Sequence, residues 1–138
     1  MNEEKYNSVN GVIYKLDTFK GKKALVGDYS VASYYNTRMV LDSLGIEYEI
    51  VGTIEDIKNK VLQNNYDIIF TNNIYRSGDS QKLLEELKSI KNFNTPIVIH
   101  TISDNINNCF LNMGFNGYLK KPIKQSETIE LLKKIFKE

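Results

Sequence analysis

Short apolar runs alternate along this chain with longer stretches of helical period. Ala24-Leu25-Val26, Ile68-Ile69-Phe70 and Ile97-Val98-Ile99 are too short for helices and rich in strand-forming residues, so each predicts a buried strand. Tyr48-Glu49-Ile50-Val51 alternates as a half-exposed edge strand does, and Phe115 to Leu119 supplies a fifth strand. Between them lie helical stripes. Val31, Tyr34, Tyr35 and Leu41 share the first, with Leu44 near its end and Gly45 suited to the C′ position. Thr53 N-caps the second, with Asp56 at N3 and Ile54, Ile57 and Val61 facing inward. The third carries Leu83, Leu84, Leu87 and Ile90 after a Ser-Gly-Asp-Ser turn. A short fourth, capped by Ser103 or Asp104, carries Ile106, Cys109, Phe110 and Met113 and stops at Gly114. Ser126 is the expected cap of the last, whose stripe is Ile129, Leu132, Ile135 and Phe136.

Strands alternating with helices in this way predict one α/β domain, a flavodoxin-like (βα)5 three-layer sandwich around a five-stranded parallel sheet. Residues 1–22 show no sustained period, although Asn10-Gly11 is a good turn dipeptide and Val12 to Leu16 suits a short extended segment. They are expected to be a tail or linker, leaving 23–138 as the domain. At 138 residues and a net charge of +1, the chain gives no electrostatic case for a nucleic-acid or membrane partner. A single cysteine, Cys109, makes no internal disulfide and suits a reducing, cytoplasmic setting; its helical spacing with Ile106 and Met113 points to core packing. No apolar run reaches the roughly 20 residues needed to span a bilayer, and the first eight residues lack the apolar core of a signal peptide.

Chemistry in an open α/β sheet collects just beyond the carboxyl ends of the strands. Those ends offer Gly27 and Asp28 after the first strand, Asn72 after the third, Thr101 after the fourth and Lys121 after the fifth. Asn72 sits where a reactive residue belongs, yet a neutral amide is a weak nucleophile. Asp28 either belongs to this pocket or caps the first helix. Lys121 either pairs with Asp28 or donates to Asn72. His100, the only histidine, has no metal-like spacing and reads as structural.

From about residue 22 onward the chain resembles a response-regulator receiver domain. Tyr118-Leu119-Lys120-Lys121-Pro122 matches that family's aromatic-x-x-Lys-Pro ending, Thr101 follows an apolar strand, and Asp79 lies seven residues beyond Asn72. The resemblance implies an acidic pair after the first strand and a phospho-accepting Asp after the third, together holding Mg²⁺. It also implies a Thr and a Lys on the phosphoryl group. Carried over, the acidic pair is Gly27-Asp28, the acceptor register falls on Asn72, and Tyr75-Arg76 stands in place of the family's Met-Pro. Thr101, Lys121 and Tyr118 match, with Thr101 and Tyr118 implied as the switch.

These departures imply a degenerate receiver, or pseudo-receiver. It would have no catalytic residue, metal or cofactor, and would be a phosphorylation-independent interaction module. A sensor histidine kinase, such as a hybrid one, is the implied parent, and its kinase core or another signalling domain the implied partner. One conformation is expected, with a constitutive docking face over 103–113, 117–120 and 126–137, rimmed by Lys120, Lys124 and Lys133. Restoring carboxylates at 27 and 72 together is expected to create a magnesium site. Two alternatives remain at this point: a phosphorelay receiver using another carboxylate, such as Asp28 or Asp79, and a flavodoxin-like binder of a small ligand. The single glycine of Gly27-Asp28-Tyr29-Ser30 is a weak phosphate-loop signal.

Overall fold

The computed structural model describes residues 5–8, 11–102 and 109–137. It opens with an antiparallel pair, β1 (Lys5–Ser8) and β2 (Gly11–Tyr14). There follow β3 (Lys23–Gly27), α1 (Val31–Ser43), β4 (Glu47–Val51), α2 (Ile54–Gln63) and β5 (Ile68–Thr71). A two-residue pair, β6 (Ile74–Tyr75) with β7 (Gly78–Asp79), separates β5 from α3 (Ser80–Lys88). The chain ends with β8 (Ile97–Thr101), α4 (Cys109–Met113), β9 (Gly117–Lys120) and α5 (Gln125–Phe136).

Strands β3, β4, β5, β8 and β9 form one parallel sheet in the order β4-β3-β5-β8-β9. This is the flavodoxin-like fold expected from the alternation of elements. Because side chains alternate across a strand, the apolar runs feed two cores. Ala24, Val26, Ile68, Phe70 and Val98 pack with Val40, Leu41 and Leu44 of the α1 region and Leu132 of α5. Leu25, Ile69, Ile97 and Ile99 pack with Ile54 and Ile57 of α2 and Leu83, Leu84 and Leu87 of α3. The chain runs from β3 outward to β4, then crosses back to β5 on the other side of β3. The carboxyl ends of β3 and β5 therefore flank the switch point where ligand clefts form in such sheets.

Three expectations are corrected. Val31 and Tyr35 do not face the core; they are 64% and 52% exposed. The buried side of α1 is Asn36, Thr37, Val40, Leu41 and Ser43. Its polar members are satisfied there: Asn36 Nδ2 donates to the Ile123 carbonyl at 2.7 Å, and Ser43 Oγ to the Val40 carbonyl. Ser126 does not cap α5. The helix starts two residues earlier than that cap would set it, and its cap position, Lys124, makes no side-chain cap bond. Gln125 turns away instead, donating through Nε2 to the Tyr14 carbonyl and to Ser43 Oγ while Oε1 accepts from the Tyr14 amide.

The third correction concerns the segment expected as a tail. Ile13 and Phe19 are buried members of the α1/α5-side core. Phe19 meets Phe136 edge to face at 5.5 Å between centroids, with the Lys22 ammonium 4.8 Å from the same ring. The amides of Leu16 and Asp17 both donate to the Ser43 carbonyl, and that of Phe19 to Leu44. The expected turn residue Asn10, and the expected fourth-helix residues Ser103, Asp104 and Ile106, lie outside the described residues. Thr53, by contrast, caps α2 as expected, accepting from the Asp56 amide at 3.0 Å. Gly45 takes the left-handed φ of +77° that a helix end requires.

Candidate functional site

Asp28 leaves β3 through a backbone bond to β4, its amide donating to the Val51 carbonyl. The next residues turn to start α1, which Ser30 caps by accepting from the Ser33 amide. Asp28 is thus not the helix cap. Its carboxylate is folded back under the turn, with Oδ1 accepting from the Ser30 amide at 3.1 Å and Oδ2 from Ser33 Oγ at 2.8 Å. Asn72 ends β5, its amide donating to the Gly27 carbonyl at 3.0 Å. Lys121 ends β9, its amide donating to the Thr101 carbonyl at the end of β8. All four strand ends named from the sequence therefore meet here.

Lys121 sits at the centre. Its ammonium donates to Asp28 Oδ2 at 2.9 Å, Asn72 Oδ1 at 2.5 Å and Ser33 Oγ at 2.6 Å. An ammonium has three protons, and these three acceptors use all of them. Asn72 completes the ring by donating through Nδ2 to Asp28 Oδ1 at 3.1 Å. The two expectations for Lys121, pairing with Asp28 and donating to Asn72, are realised together. Burial opposes ionisation of Asp28, but the bonds from Lys121, Ser33 and the Ser30 amide outweigh it and hold the carboxyl below its usual range. Side-chain exposures of 8% for Lys121 and 1% for Asp28 make this a buried ion pair, screened little by salt.

Above this floor opens a cleft of about 480 Å³, walled by Thr101 and His100 and rimmed by Tyr29, Ile74 and Ile102. The rim is apolar and exposed, 62%, 58% and 77% respectively. His100 is fully buried, its Nε2 3.3 Å from the Gly27 carbonyl oxygen, and lies beside Phe70. Burial, with the Lys121 charge nearby, pushes its pKa down to about 4, so the ring is neutral near pH 7. Tyr118 is half-buried against Phe110, 6.5 Å between ring centroids. Asp79 lies apart from the cleft; it is exposed and caps α3, accepting from the Lys82 amide at 3.1 Å.

Sequence reasoning missed Ser33 and Tyr75. The Asp-x-Ser-x-x-Ser spacing of Asp28, Ser30 and Ser33, with a cap three residues before a second hydroxyl on the first turn, was the available signal for the former. Nothing in the sequence marks the role of Tyr75, whose hydroxyl donates to the Gly27 carbonyl at 3.0 Å, lies 2.6 Å from Thr71 Oγ1 and accepts from the Asn72 amide.

The fold is that of the receiver domains of two-component signalling. Receiver domains and response regulators are among its structural neighbours. One is a two-component response regulator from Clostridium difficile, 28% identical, with a TM-score of 0.71 over 85% of this chain and 97% of that one. Another is the receiver domain of a sensor histidine kinase from Pseudomonas aeruginosa, 21% identical, with a TM-score of 0.75 over 86% and 99%. A third is a chemotaxis response regulator of Vibrio cholerae, 18% identical, with a TM-score of 0.72 over 83% and 98%. No protein-family model matches the sequence, and no curated protein does.

The Pseudomonas receiver carries a magnesium ion coordinated in its active-site cleft. The residues present here do not fit such an ion. Mg²⁺ is held by hard oxygens, usually one or two carboxylates with water and phosphate. Among the described residues the one carboxylate in the cleft has both oxygens engaged, and the Lys121 ammonium already bonds to it and to Asn72 Oδ1. Among the described residues no group of three or more His, Cys, Asp or Glu side chains is placed to hold a metal.

Proposed function

We propose that this chain is a degenerate receiver, a pseudo-receiver, that takes no phosphoryl group and works as an interaction module in two-component signalling. The observation that carries this reading is the closed ring of Asp28, Asn72, Ser33 and Lys121. The acceptor register is filled by an amide, which cannot form the acyl phosphate a carboxylate forms. The Lys121 charge that would meet an incoming phosphoryl group is spent on Asp28. Thr101 and Tyr118 keep the register of the switch, but without phosphate no differential binding energy moves them, and one conformation dominates.

A histidine kinase is the parent this reading favours, acting in the cytoplasm, with its kinase core or a neighbouring signalling domain as partner. The docking face runs along β9 and α5, where Lys120, Lys124 and Lys133 are exposed and favour an acidic surface. Charge reversal at Lys120 and Lys133 to Glu is expected to weaken binding to a kinase core at low salt. Unchanged affinity, with the fold intact by circular dichroism, would remove this face from the account.

A magnesium titration tests the site itself. A ligand at a hundredfold excess over its Kd stabilises by about 2.7 kcal/mol, which a thermal melt resolves in a domain of this size. Millimolar Mg²⁺ is expected to leave Tm unchanged, and a saturable rise would contradict the reading.

A further inference from the structure

Gly27 stands where the resemblance puts an acidic side chain, and the space beside it is not open. A Cβ built on Gly27 would overlap the Tyr75 hydroxyl oxygen and lie 2.5 Å from Ile57 Cδ1. The isoleucine methyl is the end of a flexible chain and can give way. The tyrosine cannot give as easily. It is 5% exposed, and its hydroxyl reaches Gly27, Thr71 and Asn72. The hairpin of β6 and β7 delivers this ring from just beyond Asn72, with Tyr75 pairing Gly78.

We propose that Tyr75 is a plug, a side chain from the β5–α3 connection that takes the volume of a residue-27 side chain and ties the ends of β3 and β5 together. The site is then a built alternative to a carboxylate cluster, with each missing acid matched by a specific replacement. Asn72 serves at the acceptor register and Tyr75 at the first acidic position. Restoring two carboxylates at 27 and 72 does not reopen such a site, because the first of them meets the ring. This departs from the expectation from sequence: reopening takes a third change at 75. The inference deepens the pseudo-receiver reading but stands on the packing at Gly27 alone.

The experiment is a substitution cycle read by thermal melting, followed by metal binding. Tyr75→Phe removes only the hydroxyl. The Gly27 carbonyl keeps the Asn72 amide, and Thr71 Oγ1 keeps the Asn72 carbonyl, so a small loss of Tm is expected. Gly27→Ala in the native background is expected to lower Tm by several degrees, and in the Tyr75→Phe background by less than half as much. Equal losses in both backgrounds would overturn the plug. For metal, G27D with N72D is expected to show no saturable Mg²⁺-dependent rise in Tm. The triple variant adding Tyr75→Ala is expected to show one. A double variant that already binds Mg²⁺ as tightly as the triple would overturn the proposal, as would a folded triple variant that binds none. Both results are independent of whether the native chain takes phosphate, which the unsubstituted protein answers separately.

Discussion

Lys121 and Asp28 are partners that neither can lose alone. Each is almost fully enclosed, and removing one leaves the other as a buried charge or an unpaired polar group. Lys121→Met is therefore expected to destabilise by about 3–5 kcal/mol in urea unfolding, the usual cost of breaking a buried pair. Adding Asp28→Leu to it should recover a large part of that loss, because no charge then remains buried. A double variant no more stable than Lys121→Met would show that the ion pair is not what holds the strand ends together. At this scale the sequence was informative about chemistry and blind to volume. Asn72, Asp28, Thr101 and Lys121 are legible because register and residue type are one-dimensional properties. Tyr75 is not legible, because what it does depends on the empty space beside a glycine 48 residues away in the chain.

The elements follow from the same distinction. Strands β3, β5 and β8 are buried on both faces, so their continuous apolar runs announce them, and Thr53 announces α2 through its cap. Apolar period does not mark the inner face of helix α1, which carries Asn36, Thr37 and Ser43 while Val31 and Tyr35 lie outside. Periodicity of apolar residues fails where polar side chains are buried and satisfied. Residues 11–22 escaped for a related reason. Ile13 and Phe19 are too far apart to make a pattern, yet both are buried against the far ends of α1 and α5. Phe19→Ala is accordingly expected to cost about 3–5 kcal/mol, as deletion of a buried aromatic does, whereas a loose linker would tolerate it. Chemical denaturation of the single variant decides between the two. A loss under about 0.5 kcal/mol, the range of surface substitutions, would return this segment to the status of a tail.

Across the whole molecule the buried groups make stability depend on pH in a defined direction. His100 is held at about 4, below the ordinary histidine value near 6.5, so its contribution is full above pH 6.5. Between those values the unfolded chain takes up a proton that the folded one refuses, and stability falls as the pH falls. A difference of that size is worth roughly 3 kcal/mol. Asp28 has the same sign at lower pH, since its depressed carboxyl loses its contribution only as the pH falls below the usual carboxylate range. Unfolding free energies at pH 7.5 and pH 5 should thus differ, and His100→Gln should flatten that interval while leaving the fall below pH 4 in place. A native profile that is flat from pH 7.5 to 5 would mean that the ring is not held neutral. The same enclosure underlies the proposal that this receiver-like fold carries no phosphoryl chemistry, and one measurement addresses it without any substitution. The native protein is incubated with a small acyl phosphate donor and Mg²⁺, then its intact mass is read under conditions that preserve acyl phosphates. The account predicts an unchanged mass. A stoichiometric gain of one phosphoryl group mapped to an aspartate of this domain would contradict it.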